Sequence, residues 1–228
     1  MELIILFGGS SGIGHSIYQF LSQGRVPLKK ELIVVGRNVA SLPAAKGVIK
    51  YERDLSELAP WTEFLSLIDS NRVSCVKIIL NAATIEPLGK VGNISTNDII
   101  NAVSINQTAY MQFITEIVSY IKEYDIKLSF LNITSGAAKK PISGWSVYCA
   151  TKCAMRMFLD VLSLESSKDI KVVHFDPGVV DTEMQELIRK QPITEVPMVD
   201  QFIGFKEDSM LKKPSVTAIE IIEILEKL

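Results

Sequence analysis

The sequence has few of the residues that build disulfide frameworks and metal sites. Its 228 residues include three cysteines and two histidines. Cys75, Cys149 and Cys153 are too few and too irregularly spaced for a disulfide framework or a zinc site. His15 and His174 lie far apart, and neither has an acid or a second histidine at ligand spacing. We therefore predict reduced thiols and no metal site.

Long apolar runs and an excess of basic charge are also absent. No segment approaches the ~20 consecutive apolar residues that cross a bilayer. The opening MELIILFGG is short, contains an acid and lacks a basic flank, which favours a first strand over a targeting signal. The net charge of −2 provides no basic field for nucleic acid or anionic lipid. The sequence thus predicts a cytoplasmic protein without nucleic-acid or membrane partners.

Two kinds of segment alternate along the chain. Hydrophobic residues make up 47% of it and charged residues 22%, which is enough apolar material for a large core. Short apolar runs predict strands at 2–7, 31–36, 46–51, 76–81, 127–133 and 170–175. Longer helical patterns lie at 13–23, 56–69, 95–103, 106–123, 146–167 and 213–228. The strands are apolar nearly throughout, as expected where helices cover both faces of a sheet.

This alternation predicts an α/β fold of the Rossmann type, with a doubly wound parallel sheet in the order 3-2-1-4-5-6. No repeat or Pro/Gly-rich linker divides the chain, so residues 1–228 are predicted to form one domain. No seventh strand follows the final helix. Residues 181–213 mix apolar, charged and proline residues, and we expect them to form a mobile, partly helical cover over the substrate.

A glycine-rich segment, FGGSSGIG (7–14), directly follows the first strand and opens a helix. Gly8 and Gly12 can adopt backbone angles closed to other residues and let a pyrophosphate approach closely. Gly14 lets helix and strand pack tightly, and the amides of the helix amino terminus attract the anion. The spacing is G-x-x-x-G-x-G rather than G-x-G-x-x-G. A tight strand–helix turn without a ligand is therefore the alternative.

The second strand ends in VVGRN, so Arg37 stands where an NAD site carries an acid for the ribose 2′-hydroxyl. A carboxylate would repel a 2′-phosphate, whereas a guanidinium can bind it through charge-assisted hydrogen bonds. The sequence therefore favours NADP(H) over NAD(H). A solvated surface arginine is the alternative.

Tyr148 and Lys152 are four residues apart and share one face of a predicted helix. Ser135 of NITSG follows the fifth strand, at the sheet edge where ligands bind in open α/β sheets. Asn106 begins another helix after VSI and is a fourth polar candidate.

Three further side chains lie around this pair. Cys149 and Cys153 flank Lys152, and we interpret them as small packing residues rather than reactive thiols. Trp145 either caps the helix or faces the substrate.

Together these segments resemble the short-chain dehydrogenase/reductase family over essentially the whole chain. The matching positions are GGSSGIG, Asp54 of RDL, Asn81 of LNAA, Asn106, Ser135, Tyr148, Lys152 and DPGVVDT (176–182). The thirteen-residue step from Ser135 to Tyr148 is the usual one in the family. The segments GWSVYCATK and DPGVVDTEMQ further resemble the sepiapterin reductase branch and the related bacterial benzil reductases.

The resemblance implies a catalytic role for each of four residues. Tyr148 would be the general acid that protonates the carbonyl oxygen as hydride arrives. Lys152 would lower the pKa of Tyr148, together with the positive charge of the oxidised cofactor, and would bind the nicotinamide ribose. Ser135 would hold the substrate oxygen, and Asn106 would position a water that relays protons to Lys152.

The resemblance also implies a binding site for NADP(H). Asp54 would bind the adenine, Asn81 and its neighbouring backbone the adenosine side, and Thr182 with the Val180 backbone the carboxamide. The predicted cofactor contacts also include Gly8, Ser10, Ser11, Gly12, Ile13, Gly14, Arg37, Asn38, Leu55, Ala82, Ala83, Tyr148, Lys152, Pro177 and Gly178. The predicted substrate contacts are Ser135, Trp145, Tyr148 and Met184.

The chain departs from the family pattern at two places near the cofactor. Phe7 replaces the usual threonine before the first glycine, and Leu80 to Ala83 replace NNAG. The missing seventh strand also removes the segment with which sepiapterin reductases anchor the pterin.

The sequence as a whole predicts an NADPH-dependent carbonyl reductase acting on a small ketone or α-dicarbonyl, sepiapterin- or benzil-like. A 3-ketoacyl thioester reductase and a non-catalytic NADP-binding sensor or scaffold are the alternatives. By analogy with relatives, we expect a homodimer through helices 106–123 and 146–167.

Overall fold

One parallel sheet forms the centre of the molecule. The computed structural model describes residues 1–23, 30–166 and 170–228. Within these residues the strands are β1 Glu2–Phe7, β2 Lys30–Gly36, β3 Val48–Glu52, β4 Cys75–Leu80, β5 Lys127–Ile133 and β6 Ile170–Phe175. Neighbouring strands run parallel in the order β3-β2-β1-β4-β5-β6. The predicted fold class and strand order are confirmed.

Helices cover both faces of this sheet. They are α1 Gly12–Ser22, α2 Thr62–Leu65, α3 Thr96–Val103, α4 Ala109–Ile121, α5 Ser146–Glu165, α6 Glu183–Arg189, α7 Val199–Glu207 and α8 Pro214–Lys227. A π-helical turn, Ser104–Thr108, joins α3 to α4. The predicted end of the fifth helix at residue 167 lies outside the described residues. Within the described ranges, no helix is long and apolar enough to cross a membrane. The cytoplasmic location stays a prediction.

Alternate residues of β1 point into two separate cores. Leu3, Ile5 and Phe7 pack on the face covered by α2, α4 and α5. Ile4 and Leu6 pack on the opposite face, against α1 and α8. This is the period-two alternation of a strand buried on both sides. Each fully buried side chain of this size stabilises the fold by about 1.5–3 kcal/mol.

Phe7 has a structural role at the position where the family usually has threonine. Its ring is fully buried, and its centroid lies 4.9 Å from that of Phe113 and 5.7 Å from that of Trp61. Edge-to-face aromatic contacts of this kind add about 0.5–1.5 kcal/mol each beyond simple burial. Phenylalanine in place of threonine at this position therefore strengthens the core beneath the glycine-rich loop.

Two of the helix predictions are wrong in detail. The helix predicted at 56–69 is reduced to α2, because the Ser56 amide donates to the Asp54 carboxylate at 2.8 Å and Pro60 lacks an amide donor. Asn106 does not begin a separate helix, since the π-helical turn makes residues 96–121 one continuous helical run. Extra-residue turns of this kind carry no simple sequence signal.

Candidate functional site

A cleft of about 1090 Å³ opens along the carboxyl edge of the sheet, where open α/β sheets bind their ligands. It runs from the β1–α1 loop past the ends of β2, β4 and β5 to α6 and α7. The predicted site residues that line it are Gly8, Ser10, Ser11, Gly12, Ile13, Arg37, Asn38, Asp54, Leu55, Asn81, Ala82, Ala83, Ser135, Trp145, Tyr148, Lys152, Pro177, Gly178, Val180, Thr182 and Met184. Gly14 and Asn106 lie behind its wall.

The glycine-rich loop fits a dinucleotide phosphate group. Gly8 has φ of +81°, and a Cβ there would stand 2.8 Å from the Cβ of Ala82. Gly12, with φ of +53°, opens α1 and faces Thr182 across the cleft. No side chain within the described residues caps the amino terminus of α1, and its first turn contains no acid. Its free amides therefore present a positive end to the cleft, suited to an anion.

Gly14 supports this loop from behind. A Cβ at Gly14 would lie 1.6 Å from the Gly8 carbonyl oxygen, so the helix and the loop touch backbone to backbone. The side-chain amide of Asn81 donates to the same carbonyl at 2.9 Å. Gly14 thus supports the loop through packing, and its predicted cofactor contact stays a prediction. Asn81 lines the cleft while its amide holds the loop.

Arg37 and Asp54 lie together at the far end of the cleft, beyond β2. The Arg37 side chain is 68% exposed, and its Nη1 lies 3.8 Å from the Asp54 carboxylate. Burial would raise the pKa of Asp54, but the hydrogen bonds from Ser56 and the charge of Arg37 outweigh it and hold the pKa below its usual value. The end of β2 therefore offers one exposed guanidinium beside a carboxylate that stays ionised.

Ser135, Tyr148 and Lys152 converge at the other end of the cleft. Tyr148 and Lys152 lie on successive turns of α5, and both are buried. The Ser135 hydroxyl lies near enough to Tyr148 to favour its ionised form. The Ala137 amide donates to Ser135 Oγ at 3.2 Å, which orients the serine. Lys152 Nζ donates to the Ile133 carbonyl at 2.8 Å, at the end of β5.

Burial controls the ionisation of this pair. It raises the pKa of Tyr148, an effect that the hydrogen bond from Ser135 partly offsets. Burial lowers the pKa of Lys152 to about 8. The shift at Tyr148 is opposite in direction to the lowering expected from Lys152. The reason is that desolvation of the phenolate dominates, and the ammonium group is turned toward the Ile133 carbonyl.

Asn106 is buried and tied to the loop that follows β4. Its Oδ1 accepts from the Thr84 amide at 2.8 Å, and its Nδ2 donates to the Thr84 carbonyl at 2.8 Å and to Thr151 Oγ1 at 3.3 Å. The side chain therefore fixes Thr84, which lines the cleft, to the helix that carries Tyr148. Its predicted water-positioning role stays a prediction.

Apolar walls surround the Tyr148 end of the cleft. Trp145 occupies the N-cap position of α5 without a side-chain capping bond, and its ring lines the cleft. That ring stacks on Phe202 with centroids 5.3 Å apart and meets Tyr148 edge-on at 5.9 Å. Ile85 and Ile142 complete this wall. Both interpretations of Trp145 describe its position in part: it is at the helix start and faces the cleft.

Several lining residues were missed in the sequence. Phe202 and Ile142 lie far from any motif, and no local pattern marks them. Asp176 directly follows β6 and lines the cleft, so the rule that sites lie at the carboxyl ends of strands could have found it. Within 181–213, Met184, Gln185 and Phe202 line the cleft from α6 and α7.

The surroundings of His174 and Cys153 bear on the predictions for the histidines and cysteines. His174 Nε2 contacts Asp160 Oδ1 at 3.0 Å, and its Nδ1 contacts Asn132 at 3.0 Å, so it has a partner acid that its spacing in the sequence did not reveal. This network joins α5 to β5 and β6. Cys153 is exposed, which contradicts its predicted packing role within a single chain. Among the described residues, no cluster of His, Cys, Asp and Glu could hold a metal ion.

Comparison with known proteins gives a consistent result. The sequence profile of the short chain dehydrogenase family matches residues 2–193. A benzil reductase, (S)-benzoin forming, from Bacillus subtilis (strain 168) is 31% identical, over 100% of this chain and 94% of the relative. A sepiapterin reductase from Xenopus tropicalis is 27% identical, over 98% and 91%. The crystal structure of the KRED1-Pglu enzyme superposes with a TM-score of 0.83 at 24% identity, covering 96% of this chain and 92% of that one.

Proposed function

The chain belongs to the short-chain dehydrogenase family, whose members are oxidoreductases with nicotinamide cofactors, and on this basis we propose that it reduces small ketones or α-dicarbonyls with NADPH. The observation that carries the proposal is that Ser135, Tyr148 and Lys152 line the same end of the cleft, next to apolar walls. Two hydroxyl-bearing residues therefore line a cleft that also contains the glycine-rich loop. Benzil and sepiapterin reductases among the relatives support a neutral carbonyl substrate.

Tyr148, Ser135 and Lys152 have different tasks in this scheme. A bound nicotinamide supplies the hydride. Tyr148 donates its proton to the substrate oxygen, and its raised pKa keeps the hydroxyl protonated at neutral pH, which is the form that reduction needs. Ser135 donates a hydrogen bond to the same oxygen. Lys152, held by the Ile133 carbonyl, binds the ribose hydroxyls and places positive charge beside Tyr148.

The remaining predicted contacts fall along the dinucleotide. Asp54 and Asn81 lie on the adenosine side, and Val180 and Thr182 on the carboxamide side. Residues 181–213 cover the substrate in this proposal, with Met184 and Phe202 lining the cleft. Residues 1–228 form one domain. The wall formed by Trp145 and Phe202 favours flat, apolar substrates.

Arg37 selects NADPH, and a charge reversal tests this. Arg37→Asp should raise KM for NADPH by about 100-fold, because it removes charge-assisted hydrogen bonds and adds repulsion of the 2′-phosphate. The KM for NADH should change by no more than about threefold, since that cofactor lacks the phosphate. Lys46→Asp, the same reversal at an exposed residue that does not line the cleft, is the control. Equal changes for both cofactors would refute the role of Arg37.

A substrate panel tests the function itself. Benzil, sepiapterin and an acetoacetyl thioester are compared by steady-state oxidation of NADPH. Turnover of benzil or sepiapterin with the thioester inert supports the proposal. The highest kcat/KM on the thioester would favour a 3-ketoacyl reductase, and no turnover of a broader carbonyl set would favour a sensor or scaffold.

A homodimer forms through the α4 and α5 faces in this proposal. An apolar stripe runs along α5, where Met157, Val161 and Leu164 are 61%, 42% and 87% exposed. Cys153 lies one turn before Met157 on the same side, so pairing of two copies would supply the packing that this residue lacks in a single chain. Exposed apolar stripes of this kind mark association surfaces.

Leu164→Glu should convert the dimer to a monomer. A buried, unpaired carboxylate at each copy of the interface costs several kcal/mol, enough to raise the dimer dissociation constant by about 100-fold or more. Light scattering during size-exclusion chromatography at micromolar protein measures the mass. Val91→Glu, at an exposed apolar residue away from α5, is the control and should leave the mass unchanged. A monomeric wild type would overturn this part of the proposal.

A further inference from the structure

The carboxylate of Asp176 lies at the reacting end of the cleft, and the mechanism above gives it no task. Asp176 directly follows β6, whose last residue pairs in register with Ile133 at the end of β5. The next residue of the β5 loop, Thr134, donates its amide to the Phe175 carbonyl at 2.9 Å. The backbone therefore places Asp176 beside the segment that carries Ser135.

The carboxylate is held in one orientation. The Gly178 amide donates to Asp176 Oδ1 at 3.0 Å. The other oxygen, Oδ2, lies 3.9 Å from the point where a Cβ on Gly136 would stand. Since Gly136 is the neighbour of Ser135, Oδ2 lies close to the segment that carries Ser135. Asp176 is exposed and lines the cleft.

Within the described part of the chain, this negative charge has no cationic partner. Among the described residues, no lysine or arginine forms an ion pair with Asp176. Lys152, the cation among the catalytic residues, donates to the Ile133 carbonyl instead. Burial is the largest cause of the raised pKa of Tyr148, and the charge of Asp176 raises this pKa further. The field of Asp176 thus reaches the reacting hydroxyl.

We propose that Asp176 restricts the enzyme to uncharged carbonyl compounds and rejects those with an anionic group next to the reacting carbon. The inference rests on the proposed reductase function and specifies its substrate class. An anion bound against Ser135 and Tyr148 would lose water close to a fixed, unpaired negative charge, and a neutral ketone pays neither cost. Repulsion of the wrong ligand is a common route to specificity.

A pair of matched substrates tests this proposal. Methyl phenylglyoxylate and phenylglyoxylate share an aryl ketone and differ in whether an ester or a carboxylate adjoins it. The wild type should favour the ester by at least about 100-fold in kcat/KM, and Asp176→Asn should reduce that ratio by about 10-fold or more. Asparagine keeps an oxygen that can accept from the Gly178 amide, so the fold is preserved. An unchanged ratio, or a wild type without preference, would overturn the proposal.

The control removes a different acid from the same cleft. Glu183→Gln also deletes one negative charge, but Glu183 is not among the groups that shift the pKa of Tyr148. It should keep the wild-type ratio of ester to acid. A decrease as large as that of Asp176→Asn would show that net charge, rather than Asp176, sets the preference.

A binding measurement separates this proposal from the reductase function. Calorimetry on the NADPH-loaded protein compares benzoate with the neutral benzamide, and no hydride transfer is needed. Asp176→Asn should strengthen benzoate relative to benzamide by about 10-fold. If the wild type reduces neither ketone, but Asp176→Asn still strengthens benzoate binding relative to benzamide, the reductase function fails and the role of Asp176 stands. If the binding of benzoate relative to benzamide is the same in both proteins, the role of Asp176 is refuted, whatever the turnover.

Discussion

Replacing Tyr148 with phenylalanine should lower kcat for reduction by about 10³-fold or more while the fold and the cofactor affinity remain. The substitution removes only the hydroxyl that donates the proton, and a general acid contributes about 10²–10⁴-fold. The ring still packs against Trp145 at 5.9 Å, so the substrate pocket keeps its wall.

The measurement is steady-state NADPH oxidation with the best carbonyl of the panel, together with NADPH titration by fluorescence. Tyr124→Phe, the same loss of a hydroxyl at an exposed residue that does not line the cleft, is the control and should keep the activity. Undiminished turnover in Tyr148→Phe would remove the central argument for the enzyme. A large loss of NADPH affinity would mean that the hydroxyl serves binding rather than proton transfer.

The sheet could be predicted because its strands are short apolar runs separated by helical patterns. Leu3 to Phe7 form one uninterrupted run, and burial of alternate residues on two faces explains it. The exact helix limits could not be read in the same way. Around Ser56 and Pro60, side-chain hydrogen bonding and a missing donor end the helix, and at Ser104–Thr108 an extra residue enters a helical turn.

In the candidate site, too, some residues could be predicted from local sequence spacing and others could not. Residues that follow strands directly, such as Ser135, or lie one helical turn apart, such as Tyr148 and Lys152, were found because local spacing determines where they lie. Phe202 reaches the cleft only through the packing of α7, which depends on contacts far apart in the sequence. The pKa of Tyr148 depends on burial, and burial is a property of the assembled fold.

Gly14→Ala should be the most damaging single methyl group in the cofactor site. The new Cβ would lie 1.6 Å from the Gly8 carbonyl oxygen and 2.6 Å from the side-chain nitrogen of Asn81. Overpacking costs typically about 1–3 kcal/mol, and here the main obstacle is backbone, which cannot rotate away. We expect a loss of about 3 kcal/mol or more and a Tm lower by about 6–12 °C. The displaced loop should also weaken NADPH binding by at least 10-fold or so.

Gly204→Ala is the matched control for this variant, because it adds the same methyl group to a helical glycine in a different environment. Gly204 lies within α7, and its Cβ would meet no heavy atom within 4 Å. Alanine there reduces the entropy of the unfolded chain and should stabilise the protein by about 0.4–1 kcal/mol. Scanning calorimetry and NADPH titration compare both variants with wild type. Equal Tm values for the two variants, with NADPH binding intact, would mean that the loop can move away from α1 at little cost. The backbone contact at Gly14 would then not be what shapes the phosphate site.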